Sequence, residues 1–335
     1  MDETLSLQER CRKILEDNGG FVADKARNLL LEDPALKSLQ IPLEFISKNW
    51  RDLTPALTSL SCESVGGKKE ETYDVSSAIC LMHLSFYIWD DMLDNVRCKS
   101  FRPTFFGKFG ASTSLIVGGL ASAKAFSILN DLSIKSERGH MVTKAIWSLW
   151  TRMAKAETVN CGIRTRTSKF WKMKMEASDM ETCLQLGAII GNGSKNEIEH
   201  LGKYGFCLGV ILALKNDFQV STNLTIELAK KLENGKLPYT LLWACERSIK
   251  LQEEIKALVG KKTIEQVKIK EVVEEILATK VYDITEKRLE RYAKRARYEL
   301  ITLKKNNATQ TLESFAGLHP KLFNESISMY SSRYV

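Results

Sequence analysis

Three carboxylates crowd the end of an apolar stretch. Asp90, Asp91 and Asp94 close the segment Asp74–Asn95, DVSSAICLMHLSFYIWDDMLDN. The residues before them predict a helix long enough to cross a domain. On a helix, positions i and i+4 share a face, so Asp90 and Asp94 project side by side, with Asp91 about 100° away. Like charges that close repel, and cations between them relieve the repulsion. Hard oxygen ligands, with no His or Cys in the cluster, favour Mg²⁺. An acidic cluster at a helix end is more often a solvated face. The motif gains weight from its apolar helix and from the groups that accompany it.

A second stretch ends in a related way, at Lys215-Asn216-Asp217-Phe218-Gln219-Val220. Asn216 offers a neutral oxygen, Asp217 a carboxylate, and Val220 no ligand at all. Two antiparallel helices ending so would face their polar ends across a cavity.

The elements that position these groups read as helices. The chain has six prolines, none between Pro103 and Pro238, and its Asn-Gly pairs fall between helical patterns. That favours an all-α fold. The pattern predicts a helix pair over 4–32 turning at Asn18-Gly19-Gly20, then a helix over 44–65 stopped by Gly66-Gly67. A loop over 96–110 follows the 74–95 helix. Further helices are expected over 112–132, 140–160, 169–190, 198–218 and 239–258, with a polar segment at 219–235. A charged outer layer over 262–305 and an irregular tail from Asn306 complete the chain. Gly118, Gly119, Ala121, Ser122 and Ala123 predict close helix packing, and Trp147 and Trp150 predict core. No repeat or linker-like tract divides the chain, so one domain over 1–335 is expected, with its core at about 40–260 and outer helices and tail over 261–335.

With 44% hydrophobic and 27% charged residues, the composition is that of a globular protein with ample core. The eight cysteines show no CxxC spacing, which points to a reducing compartment and away from a disulfide framework or a zinc motif. The first residues, MDETLSLQER, lack the apolar core of a signal peptide, and the apolar runs are interrupted before 18 positions. A cytoplasmic protein without a transmembrane segment is expected. The net charge of +8 suits a phosphorylated substrate, anionic lipid or nucleic acid. Because the basic residues are not interleaved with aromatics, a nucleic-acid groove is disfavoured.

Several short motifs follow one another in order. Ser47-Lys48-Asn49-Trp50-Arg51 comes first, then His83 seven residues before Asp90, and then the aspartate motif itself. Lys99-Ser100-Phe101-Arg102-Pro103-Thr104 follows, then Lys174 ahead of Gly187-Ala188, and Lys236 in Gly235-Lys236-Leu237-Pro238. As an ordered set over about Lys48 to Pro238 they resemble the trans-isoprenyl diphosphate synthase (polyprenyl synthetase) family.

The resemblance implies a single-domain all-α isoprenoid synthase bundle around a central cavity, acting as a homodimer. It implies two or three Mg²⁺ ions held by Asp90, Asp91, Asp94, Asn216 and Asp217. With Lys174 these form the expected catalytic set. The implied chemistry is ionisation of an allylic prenyl diphosphate and transfer of the prenyl group to isopentenyl diphosphate. Lys99, Lys174, Lys215 and Lys236 would contact the leaving diphosphate. Lys48, Arg51 and His83 stand where isopentenyl diphosphate binds. Without the resemblance, Lys48 and Arg51 are solvated helix charges and His83 a satisfied core histidine. Phe86, one turn below Asp90, would floor the pocket about 5–6 Å beneath the metal ligands, with Met82 a turn deeper. By resemblance that suits chains of about C15 to C20, while the plainer role for Phe86 is core packing.

The departures cluster. The second aspartate motif should read Asp-Asp-x-x-Asp, so the third ion is expected to be held weakly, with Ser221 or Glu227 recruited. Ser100 replaces the second arginine of an Arg-Arg pair, Leu212-Ala213 replace Phe-Gln, and Gly118-Gly119 replace Gly-Asp. Three activities stay open. One is a prenyl diphosphate synthase with a relaxed second motif. Another is a terpene synthase acting on farnesyl or geranylgeranyl diphosphate. The third is a non-catalytic partner subunit of a prenyl diphosphate synthase.

Overall fold

The apolar stretch that carries the first aspartates forms α4 (Tyr73–Leu93), and every residue from Val75 to Ser85 is buried. A helix apolar all round needs neighbours all round. In this computed structural model, which describes residues 7–49, 54–99, 102–135, 137–161 and 166–316, α1 (Leu7–Leu31), α3 (Thr54–Ser64) and α5 (Phe105–Lys135) supply them. Between α1 and α3 lie a 3₁₀ turn (Pro34–Leu39) and α2 (Gln40–Asn49).

A second layer is built on α7 (Arg166–Ile190), which packs most extensively on α8 (Lys195–Thr222) and also meets α3 and α6 (Glu137–Cys161). Ser194 starts α8 with a reciprocal cap. Its hydroxyl accepts from the Glu197 N–H at 3.3 Å, and the Glu197 carboxylate accepts from the Ser194 N–H at 2.7 Å. The chain continues as α9 (Thr225–Glu233), α10 (Tyr239–Cys245), α11 (Ile249–Leu258), α12 (Gln266–Ala278), α13 (Val281–Leu300) and α14 (Asn307–Ala316). The only sheet among the described residues is a two-residue hairpin, β1 (Cys98–Lys99) and β2 (Arg102–Pro103). One contiguous core runs from Ala26 to Ala316.

The small residues of α5 allow its close approach to α4. A side chain at Gly118 would collide with the Trp89 indole. The Ser85 hydroxyl donates to the Gly118 carbonyl at 2.8 Å and accepts from Ser122 at 2.9 Å.

Several boundaries differ from those expected. The chain runs as a single helix through Asn18-Gly19-Gly20, because Val22, Ala26 and Leu30 form a buried stripe whose packing outweighs the glycine cost of about 1 kcal/mol each. The 44–65 stretch divides into α2 and α3 ahead of Pro55. The 219–235 segment is largely helical, since α8 continues to Thr222 and α9 buries Leu228, Ala229 and Leu232. The 239–258 stretch breaks where Ser248 caps α11, accepting from the Leu251 N–H at 3.1 Å.

The described part of the tail forms α14. Asn306 caps that helix through the Thr309 N–H at 2.9 Å and reaches the carbonyls of Glu63 and Ser64, both at 3.1 Å. Tyr204 donates to the Leu312 carbonyl at 2.7 Å. Trp147, expected in the core, is 58% exposed, whereas Trp150 packs inward. Phe105–Leu132 is long and apolar enough to cross a membrane by length and composition, although polar residues such as Lys108 and Lys124 interrupt it, and 39% of its apolar window is buried. Gly110, at φ 78 and ψ 178, breaks the regular helix near its start.

Gly187 on α7 is where α3 comes nearest, facing the Thr58 carbonyl oxygen with Ser61 Cβ only 2.7 Å from where a methyl would stand. Gly187→Ala is expected to cost at least ~2 kcal/mol by forcing these backbones apart, measured as a fall in the urea unfolding midpoint.

Candidate functional site

At the end of α4, Asp94 is the C-cap and Asn95 follows at φ 52, the left-handed position that asparagine tolerates. This turn leads into the β1–β2 hairpin, with Cys98 opposite Pro103 and Lys99 opposite Arg102. Thr104 closes it. Its N–H donates to the Arg97 carbonyl at 2.9 Å and its hydroxyl to Val96 at 2.7 Å, and its oxygen accepts the Gly107 N–H at 2.9 Å as α5 begins.

The hairpin lays the Lys99 ammonium against the carboxylate of Asp91, whose side chain is fully buried. Asp91 therefore faces inward, away from the expected ligand set. Asp90 and Asp94 are partly exposed. Asp94 pairs with the Lys236 ammonium, and its carbonyl accepts from Asn234 Nδ2 at 2.8 Å.

At the end of α8, Asn216 is exposed and Lys215 half-buried. Burial holds the Lys215 ammonium below the ordinary lysine range. Asp217 turns inward and caps α10. Its Oδ1 accepts the Tyr239 N–H at 3.0 Å, and its Oδ2 accepts the Thr240 N–H at 2.7 Å and the Thr240 hydroxyl at 2.8 Å. Burial pushes this carboxyl up, while the donated hydrogen bonds and nearby Lys231 pull it down. The buried Ser221 hydroxyl donates to the Asp217 backbone carbonyl at 2.8 Å.

The polar ends of α4 and α8 are thus joined by one short segment. Lys236 reaches Asp94, while Tyr239 and Thr240 hold Asp217. Lys236 was legible in the sequence. Asn234 and Thr240 were missed, although an Asn-Gly pair and a proline before a helix mark such a turn and cap.

His83 is 3% exposed and engaged at both nitrogens, with Nε2 2.6 Å from Asp179 Oδ1 and Nδ1 3.5 Å from Thr54 Oγ1. A diphosphate contact from His83 requires Asp179 to release it. Asp179 was missed as well, since no local spacing links it to His83. Phe86 is half-buried, its ring 4.6 Å from that of Trp150, which also meets Trp89 at 5.9 Å and Phe126 at 5.7 Å. Met82 is buried in the core. Lys48 and Lys174 lie on α2 and α7, but their side chains fall outside the described residues, as does Arg51.

Mg²⁺ suits one end of this site better than the other. Asp90 and Asp94 share a face at i,i+4 spacing, are partly exposed and offer only oxygen donors. At α8, Asn216 is the exposed donor, while the Asp217 carboxylate is taken up in capping α10.

The fold is the all-α fold of the isoprenyl synthases. The polyprenyl synthase of Caulobacter crescentus, solved with calcium and isoprenyl diphosphate, superposes with a TM-score of 0.81 over 94% of this chain and 98% of that one, at 18% identity. The chain belongs to the polyprenyl synthetase family, whose sequence profile matches residues 37–276. Geranylgeranyl pyrophosphate synthase 11 of Arabidopsis thaliana, chloroplastic, is 27% identical over 221 residues, covering 60% of this chain and 62% of the relative. The heterodimeric geranylgeranyl pyrophosphate synthase large subunit 2 of the same plant is 28% identical over 210 residues, covering 58% of this chain and 56% of the relative. The chain thus spans about three fifths of the length of the curated relatives it matches.

Asp217→Ala removes the acceptor of three hydrogen bonds at the start of α10. A stability loss of about 1–3 kcal/mol is expected in metal-free buffer. Were Asp217 primarily a metal ligand, metal-free unfolding would be unchanged.

Proposed function

We propose that the chain ionises an allylic prenyl diphosphate with the help of Mg²⁺ and transfers the prenyl group to isopentenyl diphosphate, as a short-chain prenyl diphosphate synthase. The observation that carries this is the end of α4, where Asp90 and Asp94 share a face and Lys236 already touches Asp94. When bound there, Mg²⁺ supplies Lewis-acid neutralisation of the departing diphosphate. Asp90 and Asp94 hold it, with Asn216 a neutral donor from α8. Asp91 is a positioning residue that fixes Lys99, and Asp217 one that fixes the Lys236 segment through α10. Lys236 exchanges Asp94 for the diphosphate, and Lys215 adds a second positive charge. Lys48, Arg51 and Lys174 keep the diphosphate-binding roles that the family pattern gives them.

The half-buried aromatic group of Phe86, Trp89, Phe126 and Trp150 supplies apolar and π surface for the isoprenoid chain and its cation. That crowding supports short chains of about C15 to C20. A homodimer is supported by the exposed apolar residues of α5 and α6, including Leu115, Ile116 and Trp147. A reducing, cytoplasm-like compartment is supported by the cysteines. Those described form no disulfide, and burial pushes Cys62 up to about 12 and Cys207 up to about 11.

The sequestered Asp217 also favours a second reading, in which the chain serves as the partner subunit of an active synthase. Incubation with Mg²⁺, an allylic diphosphate and isopentenyl diphosphate decides between them. A longer diphosphate formed by the chain alone supports the synthase, and turnover only with a second chain supports the subunit. A hydrocarbon or alcohol released without isopentenyl diphosphate identifies a terpene synthase.

Asp90→Ala is expected to lower kcat by at least about a hundredfold, and Asn216→Asp to preserve or raise it. Full activity in Asp90→Ala would remove the assigned metal role. Because burial lowers the Lys215 pKa below 10.5, its charge is lost earlier than that of an exposed lysine as pH rises. The KM for the prenyl diphosphate should therefore climb on the alkaline side with a midpoint below 10.5, and Lys215→Arg should move that midpoint upward.

A further inference from the structure

The second half of α13 and the loop after it carry exposed charge of one sign. From Arg291 to Leu312 the chain has six cations, Arg291, Lys294, Arg295, Arg297, Lys304 and Lys305, and all six are exposed. The one carboxylate in that stretch, Glu299, turns the other way and lies buried, 2.9 Å from His200 Nδ1 on α8. Arg295 leans toward it at 3.8 Å. The other acids of α13, Asp283, Glu286 and Glu290, belong to its first half. Alongside on α8, the exposed Glu199 is paired with Lys203 at 2.6 Å and so does not offset the patch. Among the cations stand two apolar side chains, Tyr298 at 67% exposure and Ile301 at 72%. We propose that this face of α13 docks the protein on an anionic lipid bilayer, with Tyr298 and Ile301 seated at headgroup level.

Helical phase builds the face. At about 100° per residue, Arg291, Lys294, Arg295, Arg297, Tyr298 and Ile301 fall within an arc of about 160°. Tyr292, Ala293, Ala296, Glu299 and Leu300 fill the arc buried against the bundle. Charge complementarity selects an anionic partner, and the two apolar side chains select the bilayer. A nucleic acid meets such a patch through its phosphates and gains nothing from Ile301. A lipid interface takes the tyrosine ring and the aliphatic chain at headgroup level, while the cations meet the anionic headgroups. Cations in a last turn also complement the helix dipole, but that role calls for neither six of them nor an exposed Tyr298 and Ile301.

The position of the face suits docking. Glu299 places the end of α13 beside His200, near the start of α8. Asn216 and Asp217 lie about 24 Å further along α8, at its other end. The bilayer would therefore meet the pole opposite the carboxylates and leave that site open. The face is also separate from the exposed apolar residues of α5 and α6, since α13 packs on α8, α10, α12 and α14, whereas α5 packs chiefly on α4 and α6 on α7.

The test is cosedimentation of the full chain with phosphatidylcholine vesicles, alone or with about a third phosphatidylserine, at about 0.1 M salt. Binding is expected to the anionic vesicles only, and to weaken at least about tenfold by about 0.5 M salt. Combining Arg291→Gln, Lys294→Gln and Arg297→Gln should lower the affinity at least about tenfold. Tyr298→Ala with Ile301→Ser should lower it about fivefold and keep the salt dependence. Lys261→Gln, Lys262→Gln and Lys270→Gln together remove the same charge near the end of α9, to which Gly260 and Ile264 are hydrogen-bonded, and should leave binding unchanged. Circular dichroism checks that each variant is folded. Equal binding to both vesicles, full affinity in either α13 variant, or an equal loss in the α9-side variant overturns the proposal. Binding to duplex RNA at the same salt, with none to vesicles, assigns the face to nucleic acid and overturns it too. Should the α13 charge variant fail to fold, the Tyr298 and Ile301 variant decides. Vesicle binding needs no prenyl transfer, so the outcome is independent of the proposed activity.

Discussion

A carboxylate buried at a helix end must be compensated, and much of the architecture around the site follows from that requirement. An unpaired buried charge costs several kcal/mol, enough to consume much of a domain's net stability. Asp91 is fully buried, and the hairpin after α4 returns Lys99 to it. Asp217 turns inward, and α10 begins where its N–H groups and a hydroxyl meet that carboxylate. Asp94 remains at the surface of the site and takes Lys236 from the segment preceding α10. The polar ends of α4 and α8 are therefore held by elements whose positions they determine in turn.

This divides the carboxylates into two kinds. Asp90 and Asp94 point where a cation can reach them, while Asp91 and Asp217 hold the frame. The division is a matter of helical phase. Residues at i and i+4 share a face, and their neighbour at i+1 is rotated about 100° toward the core. A motif read as a string of equivalent ligands hides that difference.

The all-helical class, the principal helices and the end of α4 as the polar pole were legible because they rest on local signals. These are scarce proline, apolar runs and clustered charge. Elements governed by distant packing were not. The glycines at 19 and 20 read as a turn but lie within a helix, because Val22, Ala26 and Leu30 secure the stripe beyond them. The tail from Asn306 reads as irregular, yet Asn306 finds carbonyls at the end of α3, more than two hundred residues away. No spacing along the chain links Asp179 on α7 to His83 on α4, yet the two meet across the bundle at 2.6 Å. Burial separates residues of one type in the same way, leaving Trp147 exposed while Trp150 packs against Phe86.

The altered second motif also has an electrostatic consequence. Where the family pattern places three carboxylates, this chain has Asn216, Asp217 and Val220, with Lys215 alongside. Three clustered carboxylates repel a diphosphate until cations are bound between them. Here Lys215 offsets Asp217, so the α8 end carries little net charge of its own. Lys236 already lies against Asp94 on the opposite side. On the proposed function, a diphosphate approaching these groups would meet less repulsion at α8 than the full motif would impose, and less need for a counter-ion there. Loss of a metal ligand and loss of anionic repulsion are thus the same substitution seen from two sides. On that same reading, the demand for bound cations falls on the Asp90–Asp94 face of α4, where the carboxylate spacing is intact.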